Sequence, residues 1–164
     1  MFTEFKQQER NQIKVITEAY NRFYNTNYSL QLSEDIYAAE DAIWYNDWEV
    51  ILIEYKFRSN YTLEDIIGLG NSLMLEKLKY DRLIEKKKEL NADNILYINR
   101  LKDKNIFIFD FNKIDFSKLK TKNTICPGST YNFKDYKDKS LYYLPIEIGT
   151  NFRKEYVNKF SQDK

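Results

Sequence analysis

The sequence predicts a packed domain of the α/β or α+β class, and three observations carry that prediction. The run Val50-Ile51-Leu52-Ile53 has strong strand preference and is long enough only for a buried strand. Two long stretches, Met1–Asn25 and Thr62–Leu90, repeat apolar residues at helical spacing. Aromatic residues are abundant, 14 Tyr and 11 Phe, while 4 Gly and 2 Pro are few, which argues against a disordered chain.

The first stretch carries its apolar stripe on Phe2, Phe5, Ile13, Ile16, Tyr20 and Phe23, and Thr3 or another early polar residue caps it. Glu18 lies beside that stripe. Asn25-Thr26-Asn27 breaks the helix, Tyr28–Leu32 is extended, and Ser33-Glu34-Asp35 is a turn.

Ala38–Arg58 organises the rest: a strand, a tight turn at Asn46-Asp47, and a second strand from Trp48 to Phe57. The two-residue period of a strand puts Glu54 and Lys56 on one face with Val50 and Leu52. With a two-residue loop Tyr45 faces Trp48 and Asp41 lies opposite Leu52. Asp41 then shares a face with Glu54, its diagonal neighbour at roughly 7–8 Å. Two carboxylates so placed can hold one oxygen-seeking cation. The plainer reading is a surface hairpin with a cross-strand ion pair; a strand this apolar is central, where charges are costly unless paired or liganding. A loop with an odd number of residues would point Asp41 and Glu54 apart.

Thr62, with Asp65 three residues on, caps one long helix that runs to about Leu90, with Gly68 and Gly70 as a kink or a close contact near its start. Glu76, Lys79 and Tyr80 form one polar cluster on it, for which an ordinary helix ion pair is the plainer reading. Lys86, Lys87 and Lys88 form a solvated face open to phosphate contact. After a turn at Asn91–Asn94, Ile95–Asn99 and Ile106–Asp110 make a hairpin, the first strand parallel to a central one. Lys113–Lys122 is a basic loop and Pro127-Gly128 a turn. Leu141–Ile148 is a last strand, demoted to an edge by Pro145, and Phe152, Tyr156 and Phe160 mark a short docked helix.

Composition excludes more than it asserts. At 164 residues, one domain over 1–164 is expected, with no repeat or linker. With 26 basic and 25 acidic residues the net charge is +1, so charge alone predicts no polyanion partner. No histidine is present, which removes histidine triads, histidine metal sites and histidine-based nuclease chemistry. Cys126 stands alone, without a disulfide or thiolate zinc site. No run reaches a membrane span, and Glu4, Lys6, Glu9 and Arg10 leave no signal-peptide core, so a cytoplasmic location is expected.

The order helix, strand with Asp41, strand ending Glu54-Tyr55-Lys56, long helix, strand resembles the PD-(D/E)xK nuclease superfamily. Glu40 stands where that motif has proline. The resemblance spans roughly residues 12–110, leaving 111–164 as an extension. It implies an α/β, restriction-endonuclease-like core: a mixed central sheet flanked by helices (αβββαβ), with an added C-terminal hairpin and edge strand. It implies that Asp41 and Glu54 bind Mg²⁺, with Mn²⁺ as an alternative, and that Lys56 positions or deprotonates the attacking water. Branches similar to archaeal Holliday junction resolvases add a glutamate from the first helix, here Glu18 as the metal ligand, with Glu9 the other candidate. Branches similar to the RecB nuclease domain carry Gln-x-x-x-Tyr; Glu76 to Tyr80 has that spacing with Glu for Gln, and Lys79 lies between them.

The expected function is therefore a Mg²⁺-dependent DNA nuclease of recombination, repair or phage DNA processing, in the host cytoplasm if phage-encoded, with homodimerisation open. The lysine- and asparagine-rich composition is similar to that of small phage proteins from AT-rich genomes. The alternatives are a catalytically silent nuclease-fold component, for instance of a virion, and a nucleic-acid-binding module using Lys77–Lys88 and Lys113–Lys122.

Overall fold

Two sheets share one apolar layer in the computed structural model, which describes residues 2–129 and 132–162. The elements are α1 (Phe2–Tyr24), β1 (Ser29–Leu32), β2 (Ala42–Tyr45), β3 (Val50–Arg58), α2 (Leu63–Gly68), β4 (Ser72–Glu76), α3 (Lys77–Glu89), β5 (Asn94–Leu101), β6 (Ile106–Asp110), β7 (Thr121–Ser129), β8 (Asn132–Pro145), β9 (Thr150–Asn151) and α4 (Phe152–Ser161). The larger sheet has the order β1-β2-β3-β5-β6-β9 and the smaller one β4-β8-β7. Within the larger sheet β3 and β5 are parallel, joined across α2, β4 and α3, while the other pairs are antiparallel. It is a mixed sheet flanked by helices, the arrangement expected for this class.

Alternation along β3 divides the core. Ile51, Ile53 and Tyr55 pack with Ile13 and Ile16 of α1, Trp44, Leu96, Ile98 and Phe152 of α4. Leu52 faces the other way, toward Leu83 of α3, Leu73 and Leu75 of β4, and Leu144 of β8. Glu54 and Lys56 have the parity of Leu52, so they emerge on the α3 side, past the end of its apolar packing. Asparagines end the helices: Asn25 and Asn91 take left-handed φ of 53° and 49°, a conformation asparagine tolerates at a helix C-terminus.

The expected single helix from Thr62 to Leu90 is two helices with a strand between them. The capping box of Thr62 and Asp65 forms, but α2 stops at Gly68, and Gly70 (φ 108°) and Asn71 (φ 62°) turn the chain. Ser72-Leu73-Met74-Leu75-Glu76 then buries Leu73 and Leu75 in strand alternation. The apolar positions at Leu69 and Leu73 suit a helix equally, so the period alone could not separate the two forms. The C-terminal expectation also shifts. β8 is the middle strand of the small sheet, paired with β4 and β7, and Pro145 sits opposite Ser72 at its end. Pro127 and Gly128 continue β7. Among the described residues no helix is long and apolar enough to cross a membrane.

Leu83 is fully buried and fixes α3 to the sheet. Leu83→Ala should cost about 2–5 kcal/mol in urea unfolding. A shift within error would mean that α3 is not anchored through this residue.

Candidate active site

The loop between β2 and β3 fixes the central geometry. It comprises residues 46–49, because Tyr45 pairs with Val50, two places further along than a two-residue turn allows. Asn46 explains the longer loop: its Oδ1 accepts from the amides of Trp48 (3.0 Å) and Glu49 (2.9 Å), and its amide donates to the Glu49 carbonyl at 3.0 Å. Both loops have an even number of residues, so the parity of the faces is unchanged. Ile43, not Asp41, lies opposite Leu52, and Ala42 lies opposite Ile53. One step further the ladder becomes irregular: the Asp41 amide donates to the Ile53 carbonyl at 2.8 Å, one residue out of the register in which Ala42 faces Ile53, so Asp41 sits at the end of the strand pair, within the electrostatic field of Glu54.

Both carboxylates are held. Asp41 Oδ2 accepts from the Tyr55 amide at 2.8 Å. Glu54 is 7% exposed, and Lys79 Nζ lies 3.0 Å from its Oε2. That oxygen nonetheless lacks an aligned hydrogen-bond donor, so charge and proximity rather than a directed bond hold the pair. The Lys79 ammonium also donates to the Ala39 carbonyl at 3.0 Å, tying α3 to the approach to Asp41. Burial, and then the Asp41 charge, push the Glu54 carboxyl well above its ordinary range, against the pull of Lys79 and Lys56. Burial lowers the Lys79 ammonium, but the charges of Glu54 and Asp41 outweigh it and its pKa is raised. Lys56, on the same face, is lowered by burial and by Arg58, despite Glu54, Glu9 and Glu76.

The first helix contributes Glu9 rather than Glu18. Glu18 is exposed. Glu9 lines a small cavity with Lys6, Arg10, Ile13, Ser33 and Asp41. Burial and the Asp41 charge raise its carboxyl from 4.5 to about 7. Nine residues along a helix amount to about half a turn of rotation, so the two glutamates face opposite ways. Glu76 ends β4 and caps α3, where it pairs with Lys139 of β8; it does not share a helix face with Tyr80. Tyr80 packs against Phe116 (4.3 Å between ring centroids), Tyr142 (5.3 Å) and Phe111 (5.7 Å), an aromatic cluster on another side of α3 from Lys79. The four-residue spacing of Glu76 and Tyr80 thus does not form a helical pair.

A partly buried clamp beside the carboxylates has no counterpart in the sequence reading. Arg58 Nε donates to Asn99 Oδ1 at 3.0 Å, and its Nη2 reaches the Tyr97 hydroxyl (3.0 Å) and the Met74 carbonyl (2.6 Å). The Tyr97 hydroxyl donates to the same carbonyl at 2.9 Å. The clamp joins β3, β5 and β4, and so holds the strand that leads into α3. Its only sequence signal is that Arg58, Tyr97 and Asn99 keep the parity of Glu54 and Lys56 in the β3–β5 register.

No family model and no curated protein sequence matches the chain. Among solved structures it is similar to a Holliday junction resolvase from the archaeal hyperthermophile Archaeoglobus fulgidus. The match has a TM-score of 0.51 at 12% identity, over 89% of this chain and 97% of the resolvase. The chain has a restriction-endonuclease-like fold. That resolvase is a nuclease of the PD-(D/E)xK superfamily. At this identity the likeness concerns the fold, and the chemistry rests on the side chains just described.

Glu9 offers a direct test of the carboxylate cluster. Its folded value of about 7 lies above the ordinary 4.5, so the folded chain holds the proton more tightly than the unfolded chain. This contribution is fully present below pH 4.5 and is lost as pH rises through about 7. Glu9→Gln keeps a neutral side chain throughout. In chelator, its urea midpoint relative to the natural chain should rise between pH 4.5 and about 7 and level off above. A difference that does not vary with pH would place Glu9 outside the cluster.

Proposed function

We propose that the chain is a divalent-metal-dependent nuclease that hydrolyses DNA phosphodiester bonds in recombination, repair or phage DNA processing. The observation that carries this reading is the crowding of Asp41 and Glu54 at the buried end of the β2–β3 pair, with Lys56 and Lys79 beside them on a restriction-endonuclease-like sheet. The name of the similar resolvase supports a DNA substrate and a role in recombination.

The donor set suits a hard cation. Glu54 Oε2 is buried without an aligned donor and lies in the field of a second carboxylate, Asp41, an arrangement that a divalent ion relieves. Among the described residues no three acidic or cysteine side chains converge on one point. Mg²⁺ does not need them, since it is commonly held by one or two carboxylates plus waters and substrate phosphate. Asp41 and Glu54 would hold Mg²⁺ or Mn²⁺, with Glu9 adding negative charge from α1. The bound ion supplies Lewis acidity, polarising a phosphoryl oxygen and making water a better nucleophile.

The lysines divide the remaining work. Lys56, lowered by burial and Arg58, can take a proton from the attacking water or steady the negative charge that develops on phosphate. Lys79 stays charged and holds Glu54 in place. None of these steps requires histidine. DNA is the proposed partner and the cytoplasm the proposed location; a homodimer would let one particle cut two strands.

The ion pair of Glu54 with Lys79 also supports a second reading, in which an internal counter-ion has replaced the metal in a catalytically silent protein. A cleavage panel of branched, linear, nicked and single-stranded DNA with Mg²⁺ and with Mn²⁺ separates the two. The nuclease reading expects cleavage, and at least about a hundredfold loss in folded Asp41→Asn and Glu54→Gln, equivalent to a few kcal/mol of transition-state stabilisation. Undiminished cleavage by both variants would sink it. A folded chain that binds neither ion by calorimetry would establish the silent alternative.

A further inference from the structure

Beyond the carboxylates, the feature with the most unexplained chemistry is the hairpin of β7 and β8. β8 pairs with β4 only from Leu141 to Pro145, whereas its pairing with β7 continues to Asn132. The hairpin thus runs past the small sheet as a two-stranded ribbon. Its register sorts the charges. Lys122 lies opposite Leu141, Thr124 opposite Lys139 and Cys126 opposite Lys137, so the three lysines share one face. Lys120, immediately before β7, reaches over the ring of Tyr143, which has the same parity, at 5.8 Å. Asp138, opposite Ile125, and Tyr136 have the other parity. Lys120, Lys122 and Lys137 are exposed.

This face starts at the candidate active site. Lys139, at the foot of the ribbon, pairs with Glu76, and the charge of Glu76 acts on Lys56. A line of positive charge therefore leads from the catalytic face outward along the ribbon.

We infer that the lysine face of the β7–β8 ribbon binds the phosphate backbone of duplex DNA flanking the scissile bond; the scissile bond rests on the function proposed above. Side chains on one face of a strand recur about every 6.6–6.8 Å, so successive lysines form a regular row of point charges. Duplex DNA presents about one negative charge per 1.7 Å of its axis, and each lysine that neutralises a phosphate releases condensed counterions. The contact is independent of sequence, and its signature is the dependence of affinity on salt.

The experiment is anisotropy of a labelled duplex in chelator, titrated between about 50 and 200 mM salt, where phosphate contacts show most clearly. Lys122→Gln with Lys137→Gln should reduce the slope of log affinity against log salt by about 2, and weaken binding by about tenfold or more at low salt. Lys113→Gln with Lys118→Gln is the charge-matched control. Those lysines are 81% exposed and pair with Asp110 and Asp115. The control should keep the natural slope, and circular dichroism should match in all three proteins. An unchanged slope in the ribbon variant, or an equal loss in the control, overturns the inference. Cleavage of DNA by a chain whose ribbon variant keeps the slope removes the ribbon contact alone. Ribbon-dependent binding without cleavage under any divalent ion removes the nuclease reading and leaves the contact standing. A natural chain that neither binds nor cuts DNA removes both.

Discussion

The constraint on which this structure turns is the crowding of two carboxylates, Asp41 just before β2 and Glu54 on β3, at a buried end of the sheet. Like charges held close together repel, and burial makes each more costly. Their surroundings answer that cost with specific groups. The Tyr55 amide is spent on Asp41, the Lys79 ammonium stands against Glu54, and Lys56 adds a second positive charge from the next position of the same strand face. α3 is therefore more than a cover for the sheet. It begins immediately after β4, so the strand and the clamp of Arg58, Tyr97 and the Met74 carbonyl set where Lys79 arrives.

The compensation is incomplete in a way that suits a metal site. Glu54 Oε2 has a charge nearby but no aligned donor, and Glu9 brings a third acidic group into the same field with its own carboxyl raised to about 7. A protein selected only for stability gains little by keeping three acids this close together. Strongly perturbed groups of opposite sign within one another's field are more common in sites that bind or transform a ligand.

How much of this was legible in the sequence depended on whether local pattern or tertiary context decided. The faces of β3 and β2 were legible because a two-residue period admits one answer and both possible loops have an even length. The register was not, since nothing in Asn46-Asp47 announces that the Asn46 side chain would gather two further amides into the loop. The parallel pairing of β3 with β5 followed from the long connection between them. β4 was hidden because Leu69 and Leu73 fit a helix while Leu73 and Leu75 fit a strand, and Gly70 and Asn71 decided between them. The choice of Glu9 over Glu18 was beyond local reading, because an amphipathic stripe says which side of α1 is buried but not how far along the sheet the helix lies.

The C-terminal extension bears on the same electrostatics. In sequence it looks like an appendage to a complete core, with Pro145 confining its last strand to an edge. In the fold β8 is the middle of the small sheet, Leu144 is fully buried against the main core, and Tyr142 packs on Tyr80 of α3. β4 has β8 as its partner over its whole length, from Ser72 to Glu76. Lys139 balances Glu76, whose charge would otherwise add to the acids already crowding Lys56. The orientation of α3, and through it the position of Lys79 against Glu54, therefore depends on residues far beyond the strand pair that carries the carboxylates. The extension holds together the charges that the core motif alone would leave opposed.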